Sequence, residues 1–315
     1  MMIDNLTETQ VTEFILLGLP YLQEHHLEPF VIFLALYLVI LLGNSSLLVA
    51  LVTDKKLHKP MYFYIGILAT LDMLLTTASI PKMLSIFLIK ANTISFNGCF
   101  LQMFIYYSTG VFESFLLVVM AYDRYVAICD PLHYTSVMNR RFCIQITVGS
   151  CILSCMLIGS IVTFTASCSF CGPNKVNNLF CDHYFVVKLI CDDTVIITLW
   201  VTCNTFITIG IPFLLVLVSY VKILESVIKV SFREGKKKAL STCTSHLLVV
   251  IMFYLSIIIG YATYDSKSNF DEFHGTSFIF HAILAPALNP IVYSLRNKEV
   301  KLAIKKFIIN KNCDG

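Results

Sequence analysis

The sequence predicts an all-α membrane protein, a bundle of seven transmembrane helices followed by a short amphipathic C-terminal helix. Three observations predict it. Of 315 residues, 57% are hydrophobic and 14% charged, against about 25% charged in an ordinary soluble domain. Mean hydropathy is +0.77, and a single soluble core of this length cannot bury that much apolar surface. Seven apolar stretches each reach the roughly 20 residues that cross a bilayer core of about 30 Å as helix. A disordered chain, a small disulfide scaffold and a typical soluble enzyme are excluded. The net charge of +3 gives no reason to expect a nucleic-acid partner.

The spans run over 28–52, 60–89, 98–122, 142–166, 196–222, 239–263 and 273–295. They divide the chain into an N-terminal segment 1–27, a transmembrane domain 28–295 and a tail 296–315. The first contains the unbroken apolar run Phe30 to Leu42, which a membrane β-barrel with alternating strands would lack. The second starts at Pro60 and is interrupted by Pro81-Lys82, predicting a kinked far end. The third ends at Asp123-Arg124. A long polar loop, 167–195, separates the fourth from the fifth. The fifth carries Pro212 and the seventh Pro290, each removing a backbone donor.

Lys and Arg set the orientation. Eighteen of the 23 lie in segments on the C-terminal side, from Lys55 to Lys311. Only Lys82, Lys90, Lys175, Lys188 and Lys267 lie on the other. The basic side is expected in the cytoplasm of a plasma-membrane protein, with the N-terminus outside. The first 54 residues hold no Lys or Arg, so a cleaved signal peptide with a basic start is not expected. Asn5-Leu6-Thr7 is a glycosylation sequon on the expected outer side, whereas Asn44-Ser45-Ser46 lies within a span.

Of twelve cysteines, Cys168, Cys171, Cys181 and Cys191 crowd the long loop and Cys99 sits at the outer mouth of span three. These face an oxidising compartment, and spacing alone leaves their pairing open. Two acids lie at membrane depth, where charges are costly and usually functional. Asp72 is about 18 Å inside span two and Glu113 about 16.5 Å inside span three, measured from the basic side at 1.5 Å per residue. The antiparallel spans therefore bring the carboxylates to similar depth. With Asn44 and Asn289 they are expected to hold a proton or a hard cation such as sodium, which takes oxygen ligands.

Asp123-Arg124-Tyr125 closes span three and Asn289-Pro290-Ile-Val-Tyr293 lies in span seven, and both resemble the rhodopsin-like G-protein-coupled receptors. Longer forms narrow the resemblance. MAYDRYVAICDPLHY at 120–134, LHKPMYF at 57–63, PKML at 81–84, Ser219-Tyr220, KALSTCTSH at 238–246 and PALNPIVYSLRN at 286–297 together resemble the vertebrate odorant receptors. The loop from Phe170 to Tyr184 is most similar to fish-type members.

The resemblance implies a receptor rather than an enzyme. It implies disulfides Cys99–Cys181 and Cys171–Cys191, leaving Cys168 over. It implies a G-protein switch at Asp123, Arg124 and Tyr125, with Tyr220, Asn289, Pro290 and Tyr293 as rearranging neighbours. A small odorant would bind the outer half of the bundle, and a stimulatory olfactory G protein would raise cAMP. Helical spacing on the implied pocket helices selects Met103, Tyr106, Tyr107 and Gly110 on helix three, and Asn204, Thr205 and Thr208 on helix five. It selects Tyr254, Ile257, Ile258 and Tyr261 on helix six, and Phe278 and Ala282, with His281, on helix seven. Tyr106 stands where amine receptors carry an Asp, which disfavours a biogenic amine. Residues 296–309 read as a helix lying on the bilayer, with Lys301, Lys305 and Lys306 toward the headgroups. The alternatives are a non-olfactory chemosensor of the same family and, much further off, a transporter, which would show internal repeats.

Overall fold

The computed structural model describes residues 11–18, 27–171, 173–229, 233–262, 280–296 and 299–305, with side chains omitted at 233–242, 260–262, 280 and 294–296. Asn5, Phe278, Lys306 and the side chain of Tyr261 lie outside the described residues.

The helices are α1 (Leu27–Thr53), α2 (Pro60–Ile89), α3 (Phe96–Cys129), α4 (Arg140–Ala166), α5 (Val195–Lys229) and α6 (Arg233–Ala262). A π-helical turn, Phe280–Leu284, leads into Ala285–Arg296, together α7. Five of them, α1 to α5, are long and apolar enough to cross a membrane. In α6 the apolar stretch is Cys243–Ile259, and α7 is described only from Phe280. Leu27, Leu42, Val52, Met156 and Ile228 stay exposed, as apolar faces toward lipid tails do.

Local chemistry explains the helix ends. Pro60 opens α2, where its missing N–H costs nothing. Lys90 closes it in the left-handed region, φ 54°. Ser95 and Asn139 cap α3 and α4, their side-chain oxygens accepting from Gly98 N at 3.2 Å and Phe142 N at 2.9 Å. The interruption expected at Pro81 is absent as a break, since α2 runs through Pro81 to Ile89. Beside that proline, Gln102 of α3 donates to the Ala78 carbonyl at 2.8 Å. At Gly43 α1 meets α7 closely, and an added Cβ would lie 3.3 Å from the Pro290 ring.

An element absent from the expectations caps the disulfide-bearing end of the bundle. Strand β1 (Glu13–Leu16) pairs antiparallel with β2 (Thr93–Ser95) and parallel with β3 (Lys175–Val176). Its alternate residues Phe14 and Leu16 are fully buried. Phe14 packs among the rings of Phe96, Phe100 and Phe170 at centroid distances of 5.8, 6.3 and 5.7 Å. Cys99 is bonded to Cys181 and Cys171 to Cys191, while Cys168 is free. At the opposite end residues 299–305 are helical, with Val300 and Ala303 buried against the bundle and Lys301 and Leu302 exposed. Glu299 there accepts from Tyr62 Oη at 2.8 Å and pairs with Lys59 at 3.2 Å. Those two donors hold its carboxyl below the usual range.

Candidate functional site

A cavity of about 840 Å³ lies at the disulfide-bearing end. Helix α3 contributes Met103, Tyr106, Tyr107 and Gly110, and α5 contributes Asn204, Thr205 and Thr208. Ile257 and Ile258 come from α6 and His281 from α7. Two residues selected by helical spacing do not line it. Tyr254 is directed one turn deeper, packed on Phe253 and Phe213 with its hydroxyl 3.4 Å from Ser114 Oγ. Ala282 is fully buried in an apolar cluster with Phe33, Ile80 and Phe180, behind the cavity residue Tyr106. Adjacent positions on this π-helical turn point in different directions, and His281 faces the cavity while Ala282 does not.

Helical spacing missed a wall and the roof. Helix α4 supplies Ile158, Ile161 and Val162, apolar residues that nothing in the sequence sets apart from those that pack or face lipid. The roof is Asp182, His183 and Tyr184, drawn over the cavity by the Cys99–Cys181 bond. Gln102 accepts from Cys181 N at 2.9 Å, so one buried amide ties α2, α3 and the loop together. Asp182 accepts from Tyr107 Oη at 3.0 Å and from Tyr184 N at 2.8 Å, the latter capping the short helix His183–Val187. His183 is buried, with Nε2 3.1 Å from Thr165 Oγ1. Burial pushes its pKa down to about 4, against the opposing pull of Asp182. The one signal that placed this loop near the helices was the Cys99–Cys181 pairing that the family resemblance implied.

Beneath the cavity Ser114 donates to the Thr208 carbonyl at 2.8 Å, joining α3 to α5. In the middle of the bundle Asp72, Glu113, Asn44 and Asn289 are all buried. Asn289 Nδ2 donates to both Asp72 oxygens, at 3.2 and 3.0 Å. Asn44 turns instead to backbone carbonyls, those of Ile40 at 3.0 Å and Pro286 at 3.2 Å. The Oδ1 atoms of both asparagines are buried without a hydrogen-bond partner among the described residues.

At the far end Arg124 is ion-paired with its neighbour Asp123, its Nε donating at 2.8 Å. Asp123 is fully buried and also accepts from Tyr134 Oη at 2.8 Å. Tyr220 lies 2.6 Å from His246 Nδ1, linking α5 to α6. Tyr293 is buried, with its hydroxyl unpartnered among the described residues. Tyr125 is half-buried and stacks on Tyr122 at 6.3 Å, and Pro290 lies inside α7.

The sequence matches the family model described as Olfactory receptor over residues 33–311. It is similar to human Olfactory receptor 2AT4, 46% identical over 96% of this chain and 94% of that protein. It is similar to human Olfactory receptor 13D1, 43% identical over 95% and 86%. Mouse Olfactory receptor 8U9 is 41% identical over 96% of each chain.

Proposed function

The chain belongs to the olfactory receptor family, and from that premise we propose that a small odorant enters the cavity roofed by Asp182, His183 and Tyr184 and drives a stimulatory olfactory G protein at the Arg124 end. The protein is a multi-pass membrane protein and an odorant receptor, not an enzyme. The roofed end faces outward and the basic end, with the C-terminus, faces the cytoplasm. In this reading the odorant binds better when α3, α5, α6 and α7 are rearranged, and so shifts the population toward that arrangement.

One observation carries the reading: the cavity and the Arg124 latch share helix α3. Gly110 lines the cavity, and Arg124 follows 14 residues later on the same helix, about 21 Å along its axis. Between them the Ser114–Thr208 bond and the Tyr220–His246 pair join α3, α5 and α6. In this reading a ligand that displaces α5 or α6 at the cavity moves them against α3, the helix that carries the Arg124–Asp123 pair. Asp123, Arg124, Tyr125, Tyr220, Asn289, Pro290 and Tyr293 form the switch. Asp72, Glu113, Asn44 and Asn289 form the cation or proton site; the two unpartnered asparagine oxygens fit a sodium ion, whose single charge would offset one carboxylate while the other holds a proton.

The test is a cAMP assay in cells that display the receptor, screening odorant mixtures on wild type and Arg124→Ala. Odorant-dependent cAMP that is lost in Arg124→Ala is the expected result. A response that survives the substitution at full size refutes the switch. Epitope tags at the two termini, read on intact and permeabilised cells, test the orientation.

A further inference from the structure

We infer that the cavity opens sideways, between α5 and α6, into the hydrocarbon of the bilayer, so that the molecules it takes are small, uncharged and already dissolved in lipid. This rests on the membrane placement and pocket assignment proposed above, and adds the route of entry and the chemical class that the route admits. Three residues belong to two surfaces at once. Thr202 and Phe206 of α5 and Ile258 of α6 line the cavity, yet Thr202 is exposed, Phe206 is 61% exposed and Ile258 57%. The cavity alone does not produce such values, since Ile158 and Ile161 line it too and are only 6% and 8% exposed. Thr202, Phe206 and Ile258 therefore mark a rim where the cavity meets the outer surface of the bundle.

That rim lies at membrane depth. Phe206 is 16 residues from Lys222, the first charged side chain of α5, about 24 Å along the helix and inside a hydrocarbon core of about 30 Å. A charged molecule cannot reach it through lipid without losing its hydration. Below the rim the seam is shut, because Phe213 of α5 packs on Tyr254 of α6 at 4.9 Å. Above, the roof hangs on the Tyr107–Asp182 and Gln102–Cys181 bonds and on the contact of His183 with Thr165, all of which must break to lift it. The rim has a different chemistry. Phe206 and Ile258 are hydrocarbon, and the Thr202 hydroxyl already donates to Thr198 O at 2.8 Å. A molecule passing between them displaces only dispersion contacts, which it or a lipid tail replaces. Phe206 also opens the π-helical turn Phe206–Gly210, a distortion common at functional sites. Gly210 lets the Phe206 ring lie along α5, where an added Cβ would stand 3.0 Å from it.

The experiment uses the full-length receptor in lipid nanodiscs and two quenchers of tryptophan fluorescence, bromoform dissolved in the lipid and iodide confined to water. Trp200 is the single tryptophan, so Trp200→Phe gives a dark background that every variant shares. On it, Tyr106→Trp places a reporter in the cavity wall, and Leu214→Trp places a reference on the exposed face of α5. Bromoform should quench the Tyr106→Trp reporter and iodide should leave it bright. On rapid mixing, adding Thr202→Phe, which puts a ring on the rim, should slow that quenching about tenfold. Phe206→Ala, which takes a ring away, should speed it, and neither should change the Leu214→Trp reference. Two variants of opposite sign keep the test sharp if one of them folds poorly. Iodide that quenches as fast as bromoform would place the opening in water. Bromoform that quenches Leu214→Trp but not Tyr106→Trp would show a cavity sealed from lipid, and rates indifferent to the rim variants would put the entrance elsewhere. Each of these results overturns the inference. No odorant is needed, so the underlying pocket reading fails separately: a cAMP response that survives Gly110→Phe, which fills the cavity, places the odorant outside it.

Discussion

Replacing Phe14 with Ala should unlatch the roof of the cavity. Strand β1 is tied down by backbone bonds from Ile15, Leu16, Leu17 and Gly18 to Asn174, Asn92, Val176 and Asn178, at 2.8, 2.8, 2.8 and 3.1 Å, and by Phe96 N to Thr12 O at 2.9 Å. Each contributes about 1 kcal/mol net. Ordering the backbone of residues 11–18 costs roughly 1–2 kcal/mol per residue. With the ladder bonds to β2 and β3 and the Asn174 side chain donating to Glu13 O at 2.6 Å, the bonds at best roughly match that cost, so burial of Phe14 and Leu16 supplies the margin. Phe14 is fully buried among three rings, and Phe→Ala at such sites costs about 3–5 kcal/mol. At about 4 kcal/mol the opening equilibrium of the strand moves roughly a thousandfold. Hydrogen exchange on purified receptor in nanodiscs reads this directly. Amides Ile15 to Gly18 should exchange faster by up to that factor, while α2 and α3 amides near Asp72 and Glu113 stay protected. Odorant potency should fall, because β3 leads within a few residues to Asp182 and His183. Exchange at Ile15 to Gly18 within about threefold of wild type would show that the aromatic cluster does not hold the strand, and the reasoning fails.

Three further outcomes follow from the geometry. His183 is neutral in the fold because its pKa is lowered from 6.5 to about 4. The stability it contributes is complete above about pH 6.5 and is lost as pH falls toward 4, amounting to about 2 kcal/mol at pH 5. Thermal unfolding should therefore be more acid-sensitive in wild type than in His183→Gln, and equal pH profiles would contradict this. Gly43→Val should reduce folded receptor in a fluorescence size-exclusion assay, because its Cβ alone would stand 3.3 Å from the rigid Pro290 ring, and branching at Cβ adds bulk at that close approach of α1 and α7. A double-mutant cycle on Lys59→Ala and Glu299→Ala should give a coupling of only about 0.2–1 kcal/mol in thermal stability, since the pair is about half exposed. Tyr62→Phe should cost more, about 1.5–3 kcal/mol, because it removes a hydrogen bond to a charged carboxylate.

Much of the architecture was legible in the order of residues because a bilayer imposes a simple rule. Every spanning backbone group must be satisfied within its own helix, so span length and position follow from hydropathy, and α2 begins at Pro60 and ends at Ile89 as its apolar run does. The burial of Asp72 and Glu113 in the middle of the bundle was also foreseeable, since helix rise converts residue number into depth, whereas the 3.0 Å bond from Asn289 to Asp72 does not follow from depth alone. On the helices that the family resemblance implied, helical spacing selected Met103, Tyr106, Tyr107, Gly110, Asn204, Thr205, Thr208, Ile257 and Ile258, which line the cavity.

What lies outside the helices was decided only in three dimensions. Strand β1 is a short segment whose partners sit about 80 and 160 residues away, and its alternation acquires meaning only when those partners supply the sheet. The roof residues were hidden for the same reason: a disulfide and Gln102, not local periodicity, bring Asp182 and His183 over the cavity. The choice between His281 and Ala282, and between Tyr254 and Ile257, turned on the rotation of α6 and α7 about their own axes. Sequence order determines how deep a side chain lies along a helix; the packing of neighbouring helices determines which way it faces, and that is a property of all seven together.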